Sequence, residues 1–344
     1  MAQRDISFSS FNLLNLQLPG QAIYGDTDGW DQDIYDKKVD FTAKALTRLA
    51  ADVIGFQELW AADALDDVLA ASGLDATHTA LTDPGHDGES IINAAAIRSD
   101  ILRGTPEWIV EFPDELVLQS TGDDPQQADI AVRLDSFSRP VLHCQVQIRD
   151  DTPVIHVFVC HFKSRRPTQL WREAWYDRDI HSDHRNALGY AVSTIRRTAE
   201  AAALRVLITK VTKNSKTPVV VIGDMNDGKS SNTLNILTEQ PNFLPPTGQG
   251  GGDNALYTVQ KLQEFRSLRD VYYTHVFKEQ RESLDHILVS EEFYDNSTDR
   301  LWIFDEMTVE NDHLNFDDHK ESGTTDHGII RAAFKWRPAP TASS

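Results

Sequence analysis

The chain has 344 residues, 53 of them acidic and 33 basic, which gives a formal net charge of −20. Hydrophobic residues make up 40% and are spread along the whole length; this excludes general disorder and supplies a core for two domains or one large sandwich or barrel. No apolar run approaches the roughly 20 residues of a membrane helix, and the polar start Met1-Ala2-Gln3-Arg4-Asp5 shows no cleavable-signal pattern. A cytoplasmic protein with no stable membrane association is therefore expected. The acidic excess also argues against nucleic acid as a partner, unless the charge is unevenly distributed.

The first β-rich run covers residues 6–14. A helix is expected over about 34–50, then a strand at 53–57 and a second helix over about 61–71, which Ser72-Gly73 stops. Further β-rich runs lie at 93–98, 141–148 and 154–162; the last two flank Arg149-Asp150-Asp151-Thr152-Pro153 and read as a hairpin. Cys144 and Cys160 fall inside these runs, too few for a disulfide scaffold, and are expected as buried thiols in a reducing compartment. Next, Leu188, Val192, Ile195, Ala199, Ala202 and Val206 recur at steps of 4, 3, 4, 3 and 4. This is one helical stripe that should face the core, with Arg196, Arg197, Glu200 and Arg205 outside it. A strand at 219–222, a short helix over about 231–239 and strands at 284–289 and 328–336 complete the pattern. Residues 248–252 read as a glycine-rich loop and 338–344 as a frayed tail, leaving 1–337 as a single domain. Strands and helices interleave while many neighbouring strands look hairpin-linked, so the expected class is α/β with mixed sheets.

Polar side chains gather at the ends of these strands, where loops carry function. Asn12 lies within the first run, Glu58 closes the second, and His161 follows Val157-Phe158-Val159-Cys160. Asp224 and Asn226 follow Val219-Val220-Val221-Ile222-Gly223, Asp285 opens Asp285-His286-Ile287-Leu288-Val289, and Asp326-His327 precede Gly328-Ile329-Ile330. One such residue often does no more than cap a turn. Six strand ends bearing carboxylate, amide or imidazole, with almost no competing nucleophile, suit phosphoester hydrolysis. A hard divalent cation takes carboxylate oxygens, which Glu58 and Asp326 supply. Asp224 can take a proton from an attacking water, and imidazoles can bond a phosphate or protonate a leaving oxygen. Gly223-Asp224-Met225-Asn226-Asp227-Gly228-Lys229-Ser230 also fits G-x-x-x-x-G-K-S/T. Asp224 and Asp227 would place two negative charges in a phosphate cradle, so a P-loop is not expected.

Taken in order, Phe11-Asn12-Leu13-Leu14-Asn15, Gly55-Phe56-Gln57-Glu58, Cys160-His161-Phe162, Gly223-Asp224-Met225-Asn226, Leu284-Asp285-His286-Ile287 and Thr325-Asp326-His327 resemble the signature of the endonuclease/exonuclease/phosphatase superfamily. The resemblance covers nearly the whole chain. It implies a four-layer α/β/β/α sandwich of the deoxyribonuclease type, two mixed β-sheets face to face with helices outside and the site at one edge. It also implies a phosphodiesterase dependent on Mg²⁺ or Mn²⁺, with Glu58 as principal metal ligand and Asn12 and Asp326 nearby. Asp224 would activate the attacking water and Asn226 would hold a phosphate oxygen. His327, its ring oriented by Asp285, would contact the phosphate, and His161 would stabilise it or protonate the leaving group. The abasic-site branch carries a tyrosine-based motif where this chain has His161, so the deoxyribonuclease and sphingomyelinase pattern is nearer. His286 is read as packing.

Lys163, Arg165 and Arg166 directly follow His161 and are expected to grip the phosphate or its flanking groups. They open a stretch, residues 161–216, with 12 Lys or Arg against 5 Asp or Glu. Such a local excess would guide a polyanion to one face of an otherwise acidic protein. The expected substrate is DNA or RNA. A small or lipid-headgroup phosphoester is the alternative among enzymes, and an inactive binding module on the same fold is the alternative outside them. His181-Ser182-Asp183-His184 is expected at the surface, and Asp312-His313 with Asp317-Asp318-His319 offers an accessory Ca²⁺ position.

Overall fold

The computed structural model describes residues 4–24, 29–122, 126, 128–240, 253–268 and 272–340. The expected loop 248–252 and the tail residues 341–344 lie outside the described residues. Among the described residues, two six-stranded sheets dominate. The first contains β1 (Ile6–Leu16), β2 (Val53–Leu59), β3 (His78–Leu81), β4 (Ile92–Arg98), β15 (Trp302–Glu310) and β16 (Ile329–Trp336), in the order β15–β16–β1–β2–β4–β3. The second contains β5 (Leu102–Glu111), β8 (Ser136–Val146), β9 (Ile155–His161), β10 (Val219–Asp224), β11 (Tyr257–Thr258) and β14 (Asp285–Val289), in the order β11–β14–β10–β9–β8–β5. Short hairpins pair β6 (Leu118–Ser120) with β7 (Ile130–Val132), and β12 (His275–Phe277) with β13 (Gln280–Glu282). Both large sheets are mixed: β1–β2 and β9–β10 are parallel, whereas β1–β16 and β10–β14 are antiparallel.

Period-two alternation explains how one chain builds both interfaces of the second sheet. Val157, Val159, Val220 and Ile222 point between the sheets, while Phe158, Cys160, Val219 and Val221 point to the outer helices. Both faces are buried, so these strands read as continuous apolar runs. The sheets approach closely at Gly55, where a Cβ would lie 2.9 Å from Ile222 Cγ2.

On the outer face of the first sheet lie α1 (Gln32–Leu49) and α2 (Ala62–Ser72). The Asp31 carboxylate caps α1 by accepting from Ile34 N at 2.8 Å, and α2 ends at Gly73 with φ +73°. Leu46, Leu49, Leu65 and Val68 pack there with Ile54 and Phe56, each worth about 1.5–3 kcal/mol when fully buried. The second sheet is covered by α4 (Arg185–Thr212) and α5 (Asn232–Thr238), through Ala199, Leu204, Ile208, Leu234 and Leu237. Shorter helices, α3 (Arg178–His181), α6 (Val259–Arg266) and α7 (His319–Ser322), lie in the connections. The result is the expected α/β/β/α sandwich. Cys144 and Cys160 are both buried and unbonded. No helix among the described residues is long and apolar enough to cross a membrane.

The structure reverses the expectation for the first half of α4, while Ala199 of the expected stripe is buried. Leu188, Val192 and Ile195 are 38%, 39% and 46% exposed, whereas Arg197, Glu200 and Arg205 are buried at 5%, 1% and 5%. Only the C-terminal half buries apolar residues. In the N-terminal half the polar face turns inward because the loops beneath it present unpaired backbone groups, which Ser193, Arg197 and Glu200 satisfy. Of the basic stretch, Arg197 and Arg205 therefore lie inside the protein, and the exposed cations are Arg166, Arg172, Arg178 and Arg185 near His161 in sequence and Lys210, Lys213 and Lys216 at the far end.

Candidate active site

β10 runs through the middle of the second sheet, and its last residue, Asp224, sets the site. Asp224 pairs with His161, the last residue of parallel β9, and with Asp285, the first of antiparallel β14. Because Ile222 faces the first sheet, Asp224 two residues on does so too. The same parity carries Phe8 and Asn12 of β1 to the inner face. The two strand ends meet: Asn12 Nδ2 donates to Asp224 Oδ2 at 3.2 Å.

Beyond Asn12 the regular ladder breaks. The register shifts after Asn12 on β1 and after Phe56 on β2, and Leu14, Asn15 and Glu58 adopt φ of +49°, +56° and +61°. Such strained backbone on non-glycine residues persists where neighbours hold it, commonly at functional sites. Here it turns Glu58 toward Asn12 Nδ2 at 3.4 Å and Asn15 N at 3.1 Å. Asn12 Oδ1 accepts from Leu14 N at 3.0 Å, so its NH₂ group links the two carboxylates. Asn226, at φ +51°, donates its N–H to Asp224 Oδ1 at 2.9 Å. Its Nδ2 donates to Asp224 Oδ2 at 3.2 Å and to Phe162 O at 3.0 Å.

His161 Nε2 lies 3.4 Å from Asp224 Oδ2 and His327 Nε2 lies 3.9 Å from the same oxygen. His327 Nδ1 is 2.8 Å from Asp285 Oδ2, which fixes the ring. The Thr325 hydroxyl donates to Asn12 O at 2.7 Å and accepts from His327 N, tying the loop before β16 to β1. Two buried polar atoms, His161 Nδ1 and Asp285 Oδ1, have no partner among the described residues. Asp326 is half-buried beside His327. All eight expected catalytic and metal-site residues thus converge at one edge, four of them around the carboxylate of Asp224.

The basic residues after His161 behave differently from one another. Arg165 ion-pairs with Glu282 and with Asp227, the latter at 3.2 Å, and its Nε donates to Asn226 O. It braces the Asn226 loop. Lys163 is half-buried and reaches the Ser164 hydroxyl, while Arg166 is exposed. In the P-loop-like segment, Lys229 pairs with Glu264 and Asp227 pairs with Arg165 and Arg197, so no anion cradle forms. His286 is buried and bonds Asp227 O at 2.9 Å. His313 Nε2 lies 2.7 Å from His327 O, so that part of the acidic run props the site's backbone.

Three supporting residues escape the sequence pattern. Glu200 accepts from Lys163 N at 2.6 Å and Ser138 N at 2.9 Å, clamping the loop after His161 to the start of β8. Arg197 donates to Lys163 O at 3.3 Å and pairs with Asp227 at 3.3 Å. Arg139 donates to Phe162 O at 3.1 Å, and its charge acts on both His161 and Glu58. A glutamate and an arginine at buried helix positions would have been the signal, but helical spacing alone assigns them to the surface.

Burial pushes the Asp224 carboxyl up to about 7; His327 pulls against this, and the Asp285 charge adds to it. Burial also pulls His161 well below its usual range, with Arg139 adding to the effect. For His327 burial works downward too, but the carboxylates of Asp285, Asp224 and Asp326 outweigh it and hold the ring well above its usual range. Glu58 is raised, first by burial and then by Asp326. Two carboxylates that repel one another in a water-poor recess form an oxygen-donor set suited to a hard divalent cation, which would reverse both causes.

A four-layer sandwich with carboxylates, amides and imidazoles meeting where both sheets end defines a class of phosphoesterases. The chain belongs to the endonuclease/exonuclease/phosphatase family, whose model matches residues 35–327. It is accordingly a phosphoesterase hydrolase, of a family generally dependent on divalent metal. No curated protein matches the sequence. Among solved structures, a family member from Bacteroides thetaiotaomicron is 15% identical, with 96% of this chain and 98% of that chain covered and a TM-score of 0.55. ANGEL2, described as a 2',3'-cyclic phosphatase, is 13% identical over 97% and 96% of the chains, TM-score 0.59. A mannosyl-6-phosphatase from Bacteroides thetaiotaomicron is 14% identical over 96% and 100%, TM-score 0.54. At these identities the likeness shows the fold.

Proposed function

We propose that the protein is a divalent-metal-dependent phosphodiesterase that hydrolyses DNA or RNA by in-line attack of a water activated at Asp224. The chemistry rests on the Asp224 carboxylate, which two amides and two imidazoles approach within 3.9 Å. Its proton affinity near neutrality suits a general base. Glu58 and Asp326 would hold the cation, Mg²⁺ or Mn²⁺ by their oxygen donors, and it would supply charge neutralisation at the phosphate. Asn12, its oxygen committed to Leu14 N, keeps the carboxylates apart and oriented. Asn226 exchanges its longer contact with Asp224 for a phosphate oxygen. His327, held charged by Asp285, bears the charge developing on the phosphate and protonates the leaving oxygen. His161, kept neutral by burial, offers a hydrogen bond to the phosphate.

One observation favours a polymeric substrate. The segment leaving His161 exposes Trp171, Trp175 and Tyr190 alongside Arg166, Arg172, Arg178 and Arg185, with the carboxylates of Glu173, Asp177, Asp179 and Asp183 exposed among them. Exposed aromatics offer stacking faces for bases, and the guanidinium groups would bind backbone phosphates. Labelled DNA and RNA, single-stranded and duplex, should be cut with Mg²⁺ or Mn²⁺ and spared with EDTA, and KM should rise steeply with salt. Cleavage of bis-p-nitrophenyl phosphate with no action on either polymer would move the reading to small phosphoesters, in the direction of the structural neighbour described as a mannosyl-6-phosphatase.

A further inference from the structure

His275 was not singled out by the sequence, yet it stands inside the site. It opens β12, whose hairpin with β13 turns through Lys278 and Glu279 at φ +48° and +66°, the positive-φ pair of a tight two-residue turn. A backbone bridge joins His275 to His327, and Gly328 N donates to Thr274 O at 2.6 Å. The Thr274 hydroxyl in turn accepts from Leu284 N and Asp285 N. The backbone of His275 is therefore fixed against both members of the Asp285–His327 pair. Its ring centroid is 5.2 Å from that of His327. Ligand atoms of His275, Asp326 and His327 all lie within 4.8 Å of one another, close enough for small side-chain rotations to bring them onto one ion.

The donor chemistry differs from that of the Glu58 position. Two imidazoles and one carboxylate suit a borderline ion, Zn²⁺ or Co²⁺, whereas Mg²⁺ and Ca²⁺ take oxygen. His327 already carries the outer partner such a ligand needs: its Nδ1 bonds Asp285, which leaves Nε2 for an ion. Both His275 and Asp326 are half-exposed, which leaves the ion a path from solvent.

We propose that His275, Asp326 and His327 form a second, transition-metal site, and that filling it shuts the hydrolytic centre by occupying His327 Nε2 and Asp326. The shut-off rests on the phosphodiesterase reading; the binding does not. Metal-stripped protein titrated with Co²⁺ should develop visible d–d absorption, which Zn²⁺ displaces. His275→Ala and His275→Gln, each checked by thermal melting, should weaken Co²⁺ and Zn²⁺ binding at least ~10-fold, while Glu58→Gln should retain the Co²⁺ bands. With Mg²⁺ present and bis-p-nitrophenyl phosphate as substrate, Zn²⁺ should inhibit the wild type. In each His275 variant, judged against its own zinc-free rate, half-inhibition should need at least ~10-fold more Zn²⁺. Absent Co²⁺ bands in the wild type, or equal Zn²⁺ affinity in both His275 variants, would overturn the site. A wild type that binds Zn²⁺ through His275 but hydrolyses nothing would sink the phosphodiesterase reading and leave the metal site standing.

Discussion

β14 carries buried carboxylates at both of its ends, and the two ends differ in what answers them. At one end Asp285 faces Asp224, which burial pushes up to about 7. At the other, Ser290 is followed by Glu291 and Glu292, and burial pushes Glu292 up to about 7 as well. The perturbation is alike, the partners are not. Glu292 is met by the Ser290 hydroxyl at 2.5 Å and Glu291 by the Ser297 hydroxyl at 3.0 Å, all within one loop. Asp224 is met by amides and imidazoles brought in from both sheets. A displaced carboxyl is therefore a mark of burial; convergence of proton donors from separate elements is the mark of a reactive site.

The sharpest way to break this distinction is Asp224→Ala. Turnover should fall by about 10³-fold or more, while the melting temperature holds or rises because a costly buried carboxyl is gone. Turnover within ~10-fold of wild type would put the two ends of β14 on an equal footing. Next in size is Glu200→Ala, which strands the buried N–H groups of Lys163 and Ser138. Losing this clamp misplaces the loop after His161, and a shift of about 1 Å in a positioned group costs on the order of 10²-fold in rate. The loss should appear in kcat more than in KM, and Glu200→Gln should recover part of it by keeping one acceptor. If Glu200→Ala changes only stability, α4 is scaffolding and nothing more.

Glu292→Gln probes the far end. The folded value near 7 lies above the ordinary glutamate value of about 4.3, so the folded state holds the proton more tightly than the unfolded chain. The stabilising contribution of the protonated side chain is complete below about pH 4.3 and is lost as pH rises through about 7. Above that the wild type carries a cost of roughly 4 kcal/mol that glutamine does not. Urea unfolding from pH 5 to 8 should show the variant gaining on wild type as pH rises, with kcat unaltered. A gap that stays constant with pH would contradict the assignment.

The strands β1, β2, β4, β8, β9, β10, β14 and β16 and the residues at their ends were legible because β-branched runs such as Val219–Ile222 end in unmistakably polar residues; β3, β5 and β15 of the large sheets had no counterpart among the expected runs. The face to which Asp224 and Asn12 point follows from parity alone. Three further features were not legible. Glu58 reaches the site through a bulge, and local spacing carries no sign of that register shift. His275 depends on a three-residue strand too short to leave a pattern. In the first half of α4 the hydrophobic stripe named the wrong face, because the arginine and glutamate opposite it had buried backbone groups to satisfy and the valine and leucine did not.

That reversal gives the smallest effect and a decisive one. If spacing governed α4, Leu188→Ser with Val192→Ser would open cavities in a core and cost about 2–5 kcal/mol each. Both side chains are more than a third exposed, at 38% and 39%, so each change should stay within about 0.5 kcal/mol. Helix propensity moves slightly the wrong way for serine, which sets a floor for what denaturant titration will detect. Arg197→Met on the opposite face should cost more than either, although methionine is the better core residue by composition. It leaves Lys163 O without that donor and Asp227 with only Arg165 as a cationic partner. If the serine variants prove more damaging than the methionine one, partners do not decide burial in this helix, and the contrast between the two ends of β14 loses its physical basis.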